Sequence, residues 1–470
     1  MGSPGRADHQ ATTRSSRSVR YHRIRSTSTS EHVPSWERDI SPECILMPSW
    51  GATIVDSLDT LLIMGLSDEY NLCRPHVNQL DFHLVNGRNW AFGFTSEAPA
   101  TDDDETPSET WSIVRDYGAN LAVFETCIRY LGGLLGGYDL SGDKLLLDRA
   151  EELAGVLAKA FNTESGVPAG RMDPGANPPV FRLNQISIAE AGSMSLEFMR
   201  LSQITGDRKW FDYAQRTMDF LNEVIIPRTA QSPLIPLYIS PDYASQVESI
   251  NGAFAFGGLA DSYYEYLIKT YKLLGASPVS QMWREVYEAS VDKMREVLYV
   301  DIDLVPNTPI LAIGKLEGNR LIPEIEHLTC FAGAMLGLGA KLLDRPQDMT
   351  DAEMFTQSCY WLSAATPTGL QPEVVEFYGE GQEADAWHEI TVEGNERHPP
   401  IDQAGVHNTH ADREGVLRWN SDAEPVYPED GAQDETTTYE WRLKGRPPGA
   451  RKITGRGLNR PETIESIFYM

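Results

Sequence analysis

From Trp50 onward the chain is built of long apolar segments with helical spacing. In GATIVDSLDTLLIMGL, Val55, Leu58 and Leu62 fall at i, i+3 and i+7, which predicts one face of a helix. Few stretches alternate with period two and hairpin signals are sparse, so the pattern predicts a mostly α fold. LSGDKLLLDRAEELAGVLAKAF (Leu140 to Phe161) aligns with ITGDRKWFDYAQRTMDFL (Ile204 to Leu221) at an offset of 64, pairing Gly142-Asp143 with Gly206-Asp207. Each copy follows a helix rich in small residues, and DSYYEYLIKTYKLLG running into MWREVYEAS is a fainter third copy. Helical hairpins repeated in this way stack as a solenoid or close into an α/α barrel. Glycine inside a helix is disfavoured by up to about 1 kcal/mol relative to alanine. Its repeated use at Gly132, Gly133, Gly136, Gly137, Gly333, Gly337 and Gly339 predicts crowded inner helices, and so a barrel.

The ends of this pattern differ from its middle. Residues 1–33 are rich in Ser, Thr and Arg and read as a disordered tail. Residues 34–470 read as a single α/α-barrel domain, interrupted at about 378–459 by a polar segment with no sustained 3.6 period. That segment ends in RLKGRPPGARKITGRGLN, a turn-rich run expected to form no regular element. Helical character returns at RPETIESIFYM.

Composition narrows the function classes. The formal charge of −28 argues against general nucleic-acid binding, which needs clustered Lys and Arg. Much of that charge lies in the polar segment, where residues 378–435 hold 15 acids against 3 arginines. No stretch reaches the roughly 18 apolar residues of a membrane span, and the first 40 residues show no signal-peptide core. Five cysteines are too few for a disulfide scaffold and too scattered for a zinc ribbon.

The chemistry lies in acids placed where helices start: Glu125, Glu190, Glu197, Asp261, Glu326, Glu373, Glu462 and Glu465, with His327 beside Glu326. Any one of them suits a helix N-terminus for dipole and capping reasons alone. Parallel inner helices, however, would bring them to one mouth of the barrel. Clustered carboxyls raise one another's pKa, and a protonated and an ionised member together suit glycoside hydrolysis.

WGATIVDSLDTLLIMGLSDEY, VFETCIRYLGGLLGGYDLSGD, SIAEAGSMSLEF, ADSYYEYLIKTY, EHLTCFAGAMLGLGAKL, TGLQPE and RPETIES occur in the order found in class I α-mannosidases, glycoside hydrolase family 47, which the chain resembles over about residues 48–377 and 459–470. The resemblance implies an (α/α)7 barrel that hydrolyses terminal α-1,2-linked mannose from high-mannose N-glycans with inversion and uses Ca²⁺. It matches Glu125 to the general acid, Glu462 to the base, and Asp261 to an alternative base. Arg129, Glu197, His327, Glu373, Arg460 and Glu465 match sugar-site positions. Leu259 stands where the endoplasmic-reticulum subgroup tends to carry arginine, which implies the broader-specificity subgroup. Cys330 and Cys359 match the family's disulfide, and with it a secretory-pathway or secreted location is implied. A monomer without nucleic-acid or membrane partners is expected. The chain ends at Met470, eight residues after Glu462, so the family's calcium-ligating threonine is expected beyond it. No metal ligand is assigned, and the barrel is expected to be incomplete at that end. Two other readings stay open: a catalytically silent, mannose-binding quality-control relative, and an inactive truncated gene product.

Overall fold

The computed structural model describes residues 50–83, 121–174, 181–182, 185–302, 310–366, 369–378, 409–411, 417–419, 450–454, 458 and 460–470. These all fall in one compact unit, Leu46–Met470. The tail 1–33 and most of the polar segment 378–459 lie outside the described residues.

The first predicted helix face forms, but as two pieces. Helices α1 (Ala52–Asp56) and α2 (Leu58–Ile63) bury Val55 and Leu58 and are divided at Ser57. The Ser57 hydroxyl donates to the Thr53 carbonyl at 2.6 Å, a local bond that competes with the helix ladder. Helix α3 (Ser67–Asn78) is next. Helix α4 (Val123–Thr126) runs through a π turn, Cys127–Leu131, into α5 (Gly132–Ser141).

The repeat read from the sequence is structural. Helix α5 turns into α6 (Lys144–Leu157), and α7 (Ile188–Gly192) and α8 (Ser195–Thr205) lead into α9 (Arg208–Phe220). Gly142 and Gly206 both take the left-handed conformation that ends a helix, at φ 68° and 73°. Asp143 and Asp207 then cap the following helices, accepting from the Leu145 and Lys209 amides at 3.1 and 3.0 Å. The short α10 (Pro241–Ala244) precedes the third hairpin, α11 (Asp261–Leu274) with α12 (Ser280–Val297). The fourth is α13 (Ala332–Leu343) with α14 (Pro346–Ala364), where Asp344 at φ 55° replaces the turn glycine.

Inner and outer helices differ as their composition demands. Outer α9 buries only Trp210, Ala214, Thr217 and Met218, a single stripe. Inner α13 is buried on nearly all sides. Inner helices α5, α8, α11, α13 and α15 (Glu462–Tyr469) each pack on the next, the arrangement of an α/α barrel. Crowding explains Gly133: a side chain there would collide with the Val55 carbonyl.

Strands lie in the connections between the helices. Among them β1 to β10 are short: Leu121–Ala122, Arg171–Met172, Phe181–Arg182, Ile186–Ser187, Tyr238–Ile239, Ala253–Phe254, Tyr299–Ile302, Ile310–Ile313, Lys315–Glu317 and Arg320–Ile322. Next come β11 (Glu324–Glu326), β12 (Val374–Phe377), β13 (Thr409–Ala411), β14 (Leu417–Trp419) and β15 (Ala450–Thr454). Strand β15 corrects the expectation for the arginine-rich run, because it pairs antiparallel with β12, which pairs with β11. Electrostatics accounts for the basic residues. Glu324 and Glu376 stand opposite each other in the β11–β12 ladder, and like charges there are unfavourable. Arg451 and Lys452 of β15 reach Glu376 at 2.7 and 3.7 Å.

Candidate active site

The acids gather at the starts of the inner helices. Asp261 is the first residue of α11, Glu462 the first of α15, and Glu326 and His327 immediately precede the 3-10 turn that leads into α13. Their carboxylates share one electrostatic environment. Burial raises the Asp261 carboxyl to about 7, and the nearby charges of Glu326, Glu265 and Glu462 push the same way. The Ser262 amide donates a hydrogen bond to Asp261 Oδ1 at 2.8 Å, which opposes the shift.

Glu462 is also raised to about 7, chiefly by burial. Its Oε2 is buried with no hydrogen-bond partner among the described residues. A buried, unsatisfied carboxylate oxygen at a helix start is unfavourable unless it is protonated or meets a ligand.

Arg460 and Glu373 form the supporting pair. Arg460 Nε lies 2.8 Å from each Glu373 oxygen, and its Nη2 also donates to Oε1. The Glu373 backbone is fixed on both sides: its amide donates to the Thr454 carbonyl at 2.9 Å, and its carbonyl accepts from the His327 amide at 2.8 Å. Thus β15, from the run expected to be unstructured, holds the residue that orients Arg460. Burial lowers the His327 pKa.

Helix α15 is bolted in place by two hydroxyls. Ser466 Oγ accepts from the Ala334 amide at 2.8 Å and donates to the Cys330 carbonyl at 2.5 Å. Thr463 donates to Gln371 Oε1 at 2.6 Å. Cys330 and Cys359 are joined by a disulfide, with Cα atoms 6.0 Å apart, linking the start of α13 to α14.

Glu465 sits one turn after Glu462. Lys269 lies 3.4 Å from Glu465 and pairs also with Glu265 on its own helix. Burial raises the Glu465 carboxyl, and Lys269 opposes the shift. Glu265 and Lys269 were not among the predicted residues. They come after Asp261 at i+4 and i+8, so the helical period that placed Asp261 would have found them.

Five other predicted residues remain: Glu125, Arg129, Glu197, Glu190 and Leu259. Glu125 pairs with Arg129 at 2.7 Å, and Arg129 also reaches Asp56 at 3.7 Å, making a half-exposed cluster on α1 and α4. Asp56, raised mainly by burial, is the missed member of that cluster. Glu197 is buried and accepts from the Tyr266 hydroxyl at 2.8 Å, while its Oε2 has no partner among the described residues. Burial raises it to about 7. Glu190 is a capping residue: its carboxylate and Ser187 close a reciprocal box at the start of α7. Leu259 is 41% exposed at φ 75°, a conformation rarely taken by a branched side chain.

The oxygens of Glu326, Glu373 and Glu462 are the hard donors that calcium prefers. Yet among the described residues no group of three or more His, Cys, Asp or Glu side chains is placed to hold a metal ion. No described helix is long and apolar enough to cross a membrane.

The model of glycosyl hydrolase family 47 matches residues 40–470. A mannosyl-oligosaccharide 1,2-alpha-mannosidase of Arabidopsis thaliana is 33% identical over 341 residues, covering 71% of this chain and 53% of that protein. The human endoplasmic reticulum mannosyl-oligosaccharide 1,2-alpha-mannosidase is 29% identical over 350 residues, covering 73% and 44%. The chain therefore spans about half the length of the curated relatives it matches. Among solved structures, an alpha-1,2-mannosidase from Trichoderma reesei shares the fold, with a TM-score of 0.58 and 24% identity over 89% of this chain and 72% of that one.

Proposed function

Because the chain belongs to glycosyl hydrolase family 47, we propose that it hydrolyses terminal α-1,2-linked mannose from high-mannose N-glycans with inversion of configuration. The observation that carries this reading is the pair Asp261 and Glu462: two largely desolvated carboxyls at the starts of α11 and α15, each raised to about 7. The Glu462 charge is among those that push Asp261 up, and Glu462 has an oxygen with no partner among the described residues. Groups poised there give and take protons at neutral pH, as hydrolysis of a glycosidic bond requires. Glu125 serves as general acid and Glu462 as the base that activates water, with Asp261 the alternative base. Arg129, Arg460, His327, Glu373, Glu465 and Glu197 line or support the sugar site, and Leu259 admits several branches. Calcium enters this proposal from the family alone, since among the described residues no group of three or more His, Cys, Asp or Glu side chains is placed to hold it. Residues 34–470 act as one catalytic domain, a monomer of the secretory pathway.

One observation favours a second assignment of roles. Burial raises the Glu462 and Asp261 carboxyls to about 7, so these two retain a proton toward neutral pH, while Glu125 sits in an ion pair with Arg129 at 2.7 Å. In that version Glu462 or Asp261 protonates the leaving oxygen and Glu125 activates water.

Incubation with a high-mannose N-glycan, with and without a calcium chelator, tests the activity. Release of free mannose as the β-anomer, seen by NMR before mutarotation, is the expected result. Glycan binding without release would show a silent mannose-binding relative instead.

A further inference from the structure

The turn before α11 is built around one side chain of another strand. Glu326, at the end of β11, accepts a hydrogen bond from the Gly258 amide through Oε1 at 2.8 Å. Its other oxygen lies against Gly257, so close that a side chain at Gly257 would overlap it and come within 2.8 Å of Thr329 Oγ1. A side chain at Gly258 would stand 2.8 Å from Glu326 Oε1. The two glycines are therefore the space into which the carboxylate fits.

The start of α11 depends on this turn. The Gly257 carbonyl accepts from the amides of Ala260 and Asp261 at 3.1 and 2.8 Å, which opens the helix. Between them Leu259 takes its left-handed conformation, with its side chain outward and its carbonyl accepting from the Ala189 amide at 2.9 Å. Such a backbone persists only where the surroundings over-determine it. Here they are Glu326 on one side and α7 on the other.

We propose that Glu326 is a positioning residue: by clamping the Gly257–Gly258 turn it sets the direction of Leu259 and thereby the order in which mannose branches are accepted. The glycan part of this proposal rests on the function proposed above; the clamp itself does not. The contact needs an acceptor of the right reach, and charge is secondary. Glu326→Gln keeps the reach and removes the charge, whereas Glu326→Asp keeps the charge and withdraws the oxygen by one methylene.

The test compares wild type, E326Q, E326D and E326A by hydrogen exchange of the peptide containing Gly258, and by the isomers formed when one mannose is trimmed. E326D and E326A are expected to exchange at least about tenfold faster there and to shift the isomer ratio by about threefold or more. E326Q is expected to keep the wild-type protection and isomer order. The reverse pattern, with E326D like wild type and E326Q like E326A, would overturn the proposal, because Glu326 would then act through its charge. Unchanged exchange in both E326A and E326D would overturn it as well. Should E326A fail to fold, the contrast of E326D with E326Q decides alone. If no variant, wild type included, releases mannose, the proposed activity fails while the exchange comparison still decides the clamp.

Discussion

Single carboxylate oxygens left without a partner stand out at the level of residues. Glu462 and Glu197 each keep one buried oxygen with no partner among the described residues. For Glu197 the consequence is measurable as stability. Its folded pKa of about 7 lies above the ordinary 4.5, so the folded state holds a proton that the unfolded chain has lost between those values. Stability from this group is therefore full below about pH 4.5, falls as pH rises toward 7, and is flat above. Glu197→Gln, neutral at every pH and still an acceptor for Tyr266, is expected to stabilise the fold by on the order of 1–3 kcal/mol at pH 8 and to be nearly neutral at pH 4.5. Urea unfolding at the two pH values checks it. The roles of Glu125 and Glu462 are separable by leaving group. α-Mannosyl fluoride needs no general acid, so loss of the acid matters little for it, whereas loss of the base slows both substrates by roughly 10²–10⁴-fold. If Glu125 is the acid, E125Q retains fluoride hydrolysis and E462Q does not; the second assignment predicts the opposite.

Among elements, α15 and the hairpin helices show where close approach matters. Gly333 faces Thr356 and the Ser466 hydroxyl that bolts α15 to α13, and a side chain there would come within 2.7 Å of Ser466 Oγ. Gly333→Ala is expected to destabilise the protein by about 1–3 kcal/mol through overpacking and to lower mannose release by displacing Glu462. Gly155, in outer helix α6, has open space where its side chain would be. Gly155→Ala is expected to stabilise by about 0.5–1 kcal/mol, since it only relieves helix entropy. Denaturant melts of both variants check the contrast. Both glycines lie in helices with the same local preference, so their opposite outcomes were not legible in the sequence. The capped Gly-Asp turns were legible, because a left-handed residue followed by an N-cap is a local requirement. Strand β15 was not: its polar, turn-rich text favours no element by itself. It becomes a strand because β12 offers a free edge and Glu376 needs cations.

At the scale of the whole molecule, several buried acids act together. Glu197, Asp261, Glu324 and Glu462 are all raised to about 7, with burial the first cause in each. Global stability should therefore decline as pH rises from about 4.5 to 7 and level off above, a trend read by thermal melts across that window. The Cys330–Cys359 bridge spans 29 residues, and removing it with C330S/C359S should lose about 3–4 kcal/mol by freeing the unfolded chain. A urea midpoint compared with wild type under non-reducing conditions checks this.

The sequence by itself determined the features that depend on neighbours along the chain. These are the helical period, the repeat with its glycine turns and aspartate caps, and the acids at helix starts. Only the tertiary structure decided which of those acids share a field. Asp261, Glu326, Glu373 and Glu462 come from four separate segments and meet only when α11, β11, the start of β12 and α15 pack. Glu190, equally acidic and equally placed at a helix start, turned inward to cap its own helix instead. Burial and like-charge proximity depend on distances through space, and the order of residues along the chain does not contain them.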